Sequence, residues 1–132
     1  MTNPSNQTKI RSFTDLDVWK KAHYLATSIY QTTKTFPRDE VFGLISQLRR
    51  AAVSVSSNIA EGFTRESYPD KIRFYTIALG SLVEIQNQLL IARDVGYLNK
   101  NDFDVLADKT IQVHKLINGL LRKSRSIRDS NF

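Results

Sequence analysis

Residues 41–62 read Val41-Phe42-Gly43-Leu44-Ile45-Ser46-Gln47-Leu48-Arg49-Arg50-Ala51-Ala52-Val53-Ser54-Val55-Ser56-Ser57-Asn58-Ile59-Ala60-Glu61-Gly62. Two stripes run through this stretch. Val41, Leu44, Leu48, Ala51, Ala52, Val55 and Ile59 recur at helical spacing and mark one apolar face. Gln47, Arg50, Ser54, Asn58 and Glu61 follow steps of three and four and mark a polar face beside it. The spacing predicts a long amphipathic helix over about 40–64, with Gly62 near its end as a cap or a point of close packing.

Similar patterns lie on both sides. Thr14, with Asp17 three residues on, forms a capping-box signature and predicts a helix over about 14–35. Its inner face carries Trp19, Ala22, Ala26 and Ile29, widened by Val18 and Leu25. Phe36-Pro37 ends it, because the residue before proline is pushed out of the helical region. Ser67-Tyr68-Pro69-Asp70 opens a third helix over about 68–95, with Tyr75, Ala78, Leu82, Ile85, Leu89 and Ala92 inward and Gly96 as its cap. A fourth spans about 102–124 on Phe103, Leu106, Val113, Ile117 and Leu120. No segment alternates long enough to suggest a strand. The expected fold is all-α, an antiparallel up-down four-helix bundle over 14–125. Residues 1–13 and 126–132 are expected to be flexible tails.

Composition narrows the setting. A chain of 132 residues fits one domain with a core of its own. It has no cysteine, so disulfides and thiolate metal sites are excluded and a reducing compartment is expected. Met1–Ile10 lacks the apolar core of a signal peptide. No apolar run approaches the ~20 residues of a membrane span. A cytoplasmic protein with no membrane partner is expected. The net charge is +6. Residues 1–40 carry six cations and four anions, and residues 100–132 carry seven and four, so the excess sits at the chain ends. Such a balance favours polyanions, and it also serves solubility.

Catalytic groups are sparse. His23 and His114 have no partner at metal-ligand spacing. A carboxylate-bridged metal bundle needs Glu-x-x-His pairs. Here Glu84 is followed by Asn87 and Glu61 by Thr64. No metal, cofactor or enzymatic activity is expected. The polar stripe is the feature that exceeds a plain bundle. Serine and asparagine are mediocre helix formers, and Ser81, Glu84 and Gln88 repeat the pattern on the third helix. Three readings compete: a solvated face, a hydrogen-bond network between helices two and three, or a subunit interface or ligand site. Small residues favour the second and third, so Gln47, Arg50, Ser54, Asn58, Glu61, Ser81 and Glu84 are expected in a network or an interface. Arg49 and Arg50 lie about 100° apart and cannot serve one surface. Arg122 to Arg128 carries four cations in seven residues. It suits either a helix C-terminus or a salt-sensitive polyanion contact. No aromatics interleave with it to stack bases.

Several blocks together carry a resemblance. They are Leu16-Asp17-Val18-Trp19-Lys20-Lys21-Ala22, Phe36-Pro37 with Glu40, Phe42-Gly43-Leu44, Gln47 to Ser54, Asn58-Ile59-Ala60-Glu61-Gly62, Ala78-Leu79-Gly80-Ser81-Leu82 with Glu84, and Gly96-Tyr97-Leu98. The sequence resembles the bacterial 23S rRNA intervening-sequence proteins over about residues 13–122. The resemblance implies an up-down bundle, often a ring-like homopentamer. The accessory proteins of diversity-generating retroelements are related to this family, and they bind nucleic acid and a reverse transcriptase. The function expected on these grounds is a non-enzymatic, homo-oligomeric adaptor for RNA or a ribonucleoprotein, with a reverse transcriptase as a further partner. Lys20, Lys21, Arg49, Arg122, Lys123 and Arg125 are the expected contacts. The alternative is a protein-interaction scaffold with no nucleic-acid role.

Overall fold

The computed structural model describes residues 9–130. Four helices follow in order: α1 (Asp17–Thr33), α2 (Leu44–Thr64), α3 (Tyr68–Asp94) and α4 (Lys100–Ser130). Each packs on its neighbours in the chain, and α4 closes the circle against α1. The chain is an all-α, up-down four-helix bundle. Among the described residues no helix is long and apolar enough to cross a membrane.

Most of the inward residues are those that the helical period selects; on α4 Leu121 is buried where Leu120, itself half-buried, was expected. Leu25 and Ile29 of α1 meet Leu48, Val55 and Ile59 of α2, Leu82, Ile85 and Leu89 of α3, and Val113, Ile117 and Leu121 of α4 in one core. Dense packing of this kind makes burial, not helix propensity, the main source of stability.

The boundaries differ from the expected ones in three places, each for a local reason. At the start, Ser12 and Asp15 form the capping box, not Thr14 and Asp17. Ser12 Oγ accepts from the Thr14 amide at 3.1 Å, and Asp15 accepts from the Arg11 and Ser12 amides at 2.9 and 3.2 Å. Those bonds hold the Asp15 carboxyl below its ordinary range. Ser12 and Phe13, expected in the tail, thus belong to the fold, and the Phe13 ring packs edge-on against Trp19 at 5.3 Å. Residues 9–11 of that expected tail are described and exposed, and residues 1–8 lie outside the described residues.

The second difference concerns α2, which begins at Leu44 rather than near Glu40. Residues Arg38–Glu40 form a single 3-10 turn. Glu40 then caps the helix, its Oε2 accepting from the Leu44 amide at 2.9 Å. Val41 consequently points out to solvent, and Ile45 takes its place in the core. The same carboxylate accepts from the Tyr97 hydroxyl at 3.2 Å, and Tyr97 packs against Phe36. One acid therefore ties the α1–α2 and α3–α4 connections together.

The third is α4, which continues to Ser130 instead of fraying after 124. Leu121 and Ser124 are buried there, and Ser124 Oγ bonds back to the Leu120 carbonyl at 2.7 Å. The expected tail over 126–132 is helical as far as Ser130, and residues 131–132 lie outside the described residues. Elsewhere the sequence signals coincide with the observed ends. Ser67 Oγ caps α3 through the Asp70 amide at 3.2 Å. Gly96 takes φ +87°, and Tyr97 donates back to Ala92 at 2.8 Å.

Tyr75 is 2% exposed between α2 and α3, and burial pushes its hydroxyl up to about 12. The charge of a Tyr68 phenolate adds to the effect. In the unfolded chain the phenol titrates near 10. Its folded value is raised, so its contribution is complete below pH 10 and is lost as pH rises toward 12. Stability should fall by up to about 1.4 kcal/mol per pH unit across that window. Tyr75→Phe should flatten this part of the profile in urea melts at pH 9, 10 and 11. An unchanged slope in that variant would show that Tyr75 does not carry it.

Candidate functional site

The antiparallel pairing of α2 and α3 sets the polar stripe against its counterpart. Ser54 and Ser81 meet hydroxyl to hydroxyl at 2.7 Å. Asn58 Nδ2 donates to the Ser54 carbonyl at 2.8 Å and to its hydroxyl at 3.1 Å. Two helical turns along, seven residues from Ser54 on α2 and seven from Ser81 on α3, Gln88 reaches toward Gln47, amide to amide, at 3.5 Å. These residues floor a groove of about 520 Å³ whose walls are Arg50 on α2 and Glu84 on α3. The structure thus brings Gln47, Arg50, Ser54, Ser81 and Glu84 together. Asn58 lies just beyond, tied to Ser54. Glu61 does not join them: it is exposed and lies 3.8 Å from Arg65 in a surface pair.

Gln88 deepens the picture. It is 8% exposed, and its Oε1 is buried without a hydrogen-bond partner. A buried carbonyl left unpaired costs on the order of 1–3 kcal/mol. The stripe is therefore neither a fully satisfied network nor a simple solvated face. Its centre is bonded, and at its upper end Gln88 donates to Gln47 while its own Oε1 has no partner.

A second groove opens where α1 ends and α2 begins, with a volume of about 510 Å³. Tyr30 and Thr33 come from α1, Lys34 from its C-cap, Arg38 from the 3-10 turn, and Ser46, Arg49 and Arg50 from α2. The two adjacent arginines, expected to serve different surfaces, thus line one groove, because it is wide enough to span the angle between them. Arg49 is fixed against α1. Its Nε donates to Thr33 Oγ1 at 2.9 Å, its Nη2 to the Tyr30 carbonyl at 3.3 Å, and its guanidinium lies 4.7 Å from the centre of the Tyr30 ring. Thr33 in turn donates to the Ile29 carbonyl at 2.7 Å. Beside the groove Phe42 stands 96% exposed.

The six cations expected to bind nucleic acid do not form one patch. Lys20 and Lys21 are exposed on the first turns of α1, and Arg122, Lys123 and Arg125 are exposed on the last turns of α4. The up-down path returns α4 to the end where α1 began, so these five share one end of the bundle. Arg49 sits toward the other end, more than ten residues from Lys21 against the C-terminal turn of α1, on the order of 15 Å away. Sequence reading also missed Lys34, Arg38 and Phe42 as members of a basic groove. They come from the end of α1 and the connection to α2, and no periodicity links them. Unlike the C-terminal run Arg122 to Arg128, this groove has aromatic residues, Tyr30 and Phe36, in its lining.

His23 is an exposed side chain and His114 a half-buried one. His23 stacks on Trp19 with ring centres 4.8 Å apart, and His114 Nδ1 lies 3.5 Å from the Gln86 amide. Among the described residues no three His, Cys, Asp or Glu side chains stand close enough to hold a metal ion.

Comparison with solved structures gives the fold an experimental counterpart. A protein of unknown function from the S23 ribosomal protein family of Bacteroides thetaiotaomicron superposes with a TM-score of 0.74 at 22% identity. The match covers 79% of this chain and 97% of the other. At that identity the likeness speaks for the bundle alone. No curated relative matches the sequence. The match that does identify the chain runs from the first 3-10 turn into the middle of α4, residues 14–119, and by it the protein belongs to the 23S rRNA-intervening sequence protein family.

Proposed function

We propose that the protein is a non-enzymatic, homo-oligomeric, cytoplasmic adaptor that contacts RNA or a ribonucleoprotein through its basic surface. The observation that carries this reading is the bundle end where Lys20, Lys21, Arg122, Lys123 and Arg125 gather. All five are exposed, and among the described residues none makes an ion pair. Cations without intramolecular partners are the footprint of phosphate binding. The outer side of α3 supports assembly. Ile77, Val83, Leu90 and Ile91 are exposed there, and Gly80 has open space around it. Repeating the basic end around a ring would raise affinity for a long polyanion without new contacts. That same apolar surface favours a second reading, a protein-interaction scaffold whose partner is a reverse transcriptase or another protein.

Two measurements test the proposal. Light scattering of the purified protein should show a multimer, and a monomer at high concentration ends the ring. Affinity for structured rRNA fragments should fall steeply with salt, and replacing Lys20 and Lys21 with alanine should flatten that slope by about 1 to 2 units. Absence of binding at low ionic strength overturns the RNA reading and leaves the scaffold.

A further inference from the structure

We infer that the groove between α1 and α2 is a binding site for single-stranded RNA, in which the cations hold phosphodiesters and Phe42 stacks a base. The inference rests on the RNA reading above but places the contact at the opposite end of the bundle.

Charge is the first ground. Lys34, Arg38, Arg49 and Arg50 line the groove, and no aspartate or glutamate does. Among the described residues none of the four is ion-paired. Of the acids nearest in sequence, Glu40 is occupied by the Leu44 amide and the Tyr97 hydroxyl, and Asp39 is exposed outside the groove. Four cations with no ion-pair partner around one concave surface repel each other, and an anion in the groove relieves that repulsion. Arg49 is also preorganised. Its bonds to Thr33 and Tyr30 use two of its five donors and leave three for a ligand. Holding a guanidinium before the ligand arrives reduces the entropy lost on binding.

Phe42 is the second, independent ground. A phenyl ring 96% exposed has no place in the fold of this chain. It follows directly on Val41, which lines the groove, so its Cα stands ~3.8 Å along the backbone from a lining residue. A ring beside a cationic cleft is the arrangement that single strands use, with phosphate in the cleft and base on the ring. A duplex keeps its base faces stacked inside and offers nothing to Phe42. An acidic peptide would answer the charge and leave the ring unexplained.

The test uses the full chain and fluorescence anisotropy with a labelled ten-nucleotide oligo-uridine, an abasic strand of equal length and a hairpin duplex. Lys34, Arg38 and Phe42 are all exposed, so their replacement leaves the helix circular dichroism unchanged. The Lys34→Ala/Arg38→Ala variant should bind the single strand about tenfold or more weakly, with its salt slope reduced by about 1.4 for two lost phosphates. Phe42→Ala should weaken binding to oligo-uridine about tenfold and leave the abasic strand unaffected. Wild-type affinity for the single strand in both variants overturns the site, while binding that persists at the Lys20 and Arg122 end keeps the RNA reading alive. No binding of any RNA by the native protein overturns both. A change in particle size in Phe42→Ala makes the ring a subunit contact and overturns its role in stacking, as does equal loss on the abasic strand.

Discussion

Gly62→Ala lowers the stability of the bundle by about 1–3 kcal/mol. Helix propensity alone argues the reverse, since alanine is favoured over glycine inside a helix by about 1 kcal/mol. Position decides the sign. A Cβ at Gly62 would lie 2.5 Å from Cε1 and 2.9 Å from Cδ1 of Tyr75, and 3.1 Å from Cβ of Phe74. Neither neighbour can yield cheaply. The Tyr75 ring is buried in the core, and Phe74 is held between the guanidinium groups of Arg65 and Arg73 at 4.5 and 4.6 Å. Relief requires α2 and α3 to move apart at the end where Lys71 donates to the Phe63 carbonyl at 2.8 Å. Gly80→Ala is the control, because nothing lies within 4 Å of its added carbon. Urea melts should show Gly62→Ala less stable than the parent and Gly80→Ala equal to it or more stable. A stabilised Gly62→Ala would mean that the helices do not meet so closely.

That glycine shows how far sequence carries and where it stops. The spacing Gln47, Arg50, Ser54, Asn58 on one helix and Ser81, Glu84, Gln88 on the next is visible in a single chain, because a helix repeats every 3.6 residues. That the two sets face each other follows once a short antiparallel connection is inferred. A network between the two helices was therefore legible as one of three readings, though the particular contact of Ser54 with Ser81 was not. The role of Gly62 was legible only as an alternative, a cap or a close approach, since both are local statements about glycine. The basic groove was not legible at all. Lys34, Arg38 and Arg49 belong to three elements, and their meeting depends on how the Arg38–Glu40 turn folds back, which Glu40 fixes through Leu44 and Tyr97. The exposure of Phe42 has the same origin. Read on a continuous helix from residue 40, it is simply one more apolar side chain. The start of the fold failed for a smaller reason: Ser12 with Asp15 and Thr14 with Asp17 are equally good capping pairs, and only the packing of Phe13 on Trp19 chooses between them.

Leu82→Ala should cost about 2–5 kcal/mol, the largest loss of any single truncation considered for this chain. Leu82 is fully buried at the middle of α3, surrounded by the large side chains of the other helices, so the space it leaves is lined on all sides and cannot collapse. The same helix carries Ile91 with 44% of its surface exposed. The helical period sets Leu82 on the inward face and leaves Ile91 off it, yet apolar residues occur all round α3. In an isolated bundle Ile91→Ala should change stability by no more than about 0.5 kcal/mol, as exposed substitutions do. In an assembly that covers α3 it should do more, and the effect should grow with protein concentration, because a partner that binds only the folded state stabilises it by mass action. Melting both variants over a hundredfold concentration range separates the cases. Leu82→Ala should lose the same free energy throughout. A loss in Ile91→Ala that vanishes on dilution assigns the outer face of α3 to a second copy, and a loss that is absent at every concentration leaves that face to solvent or to a different protein.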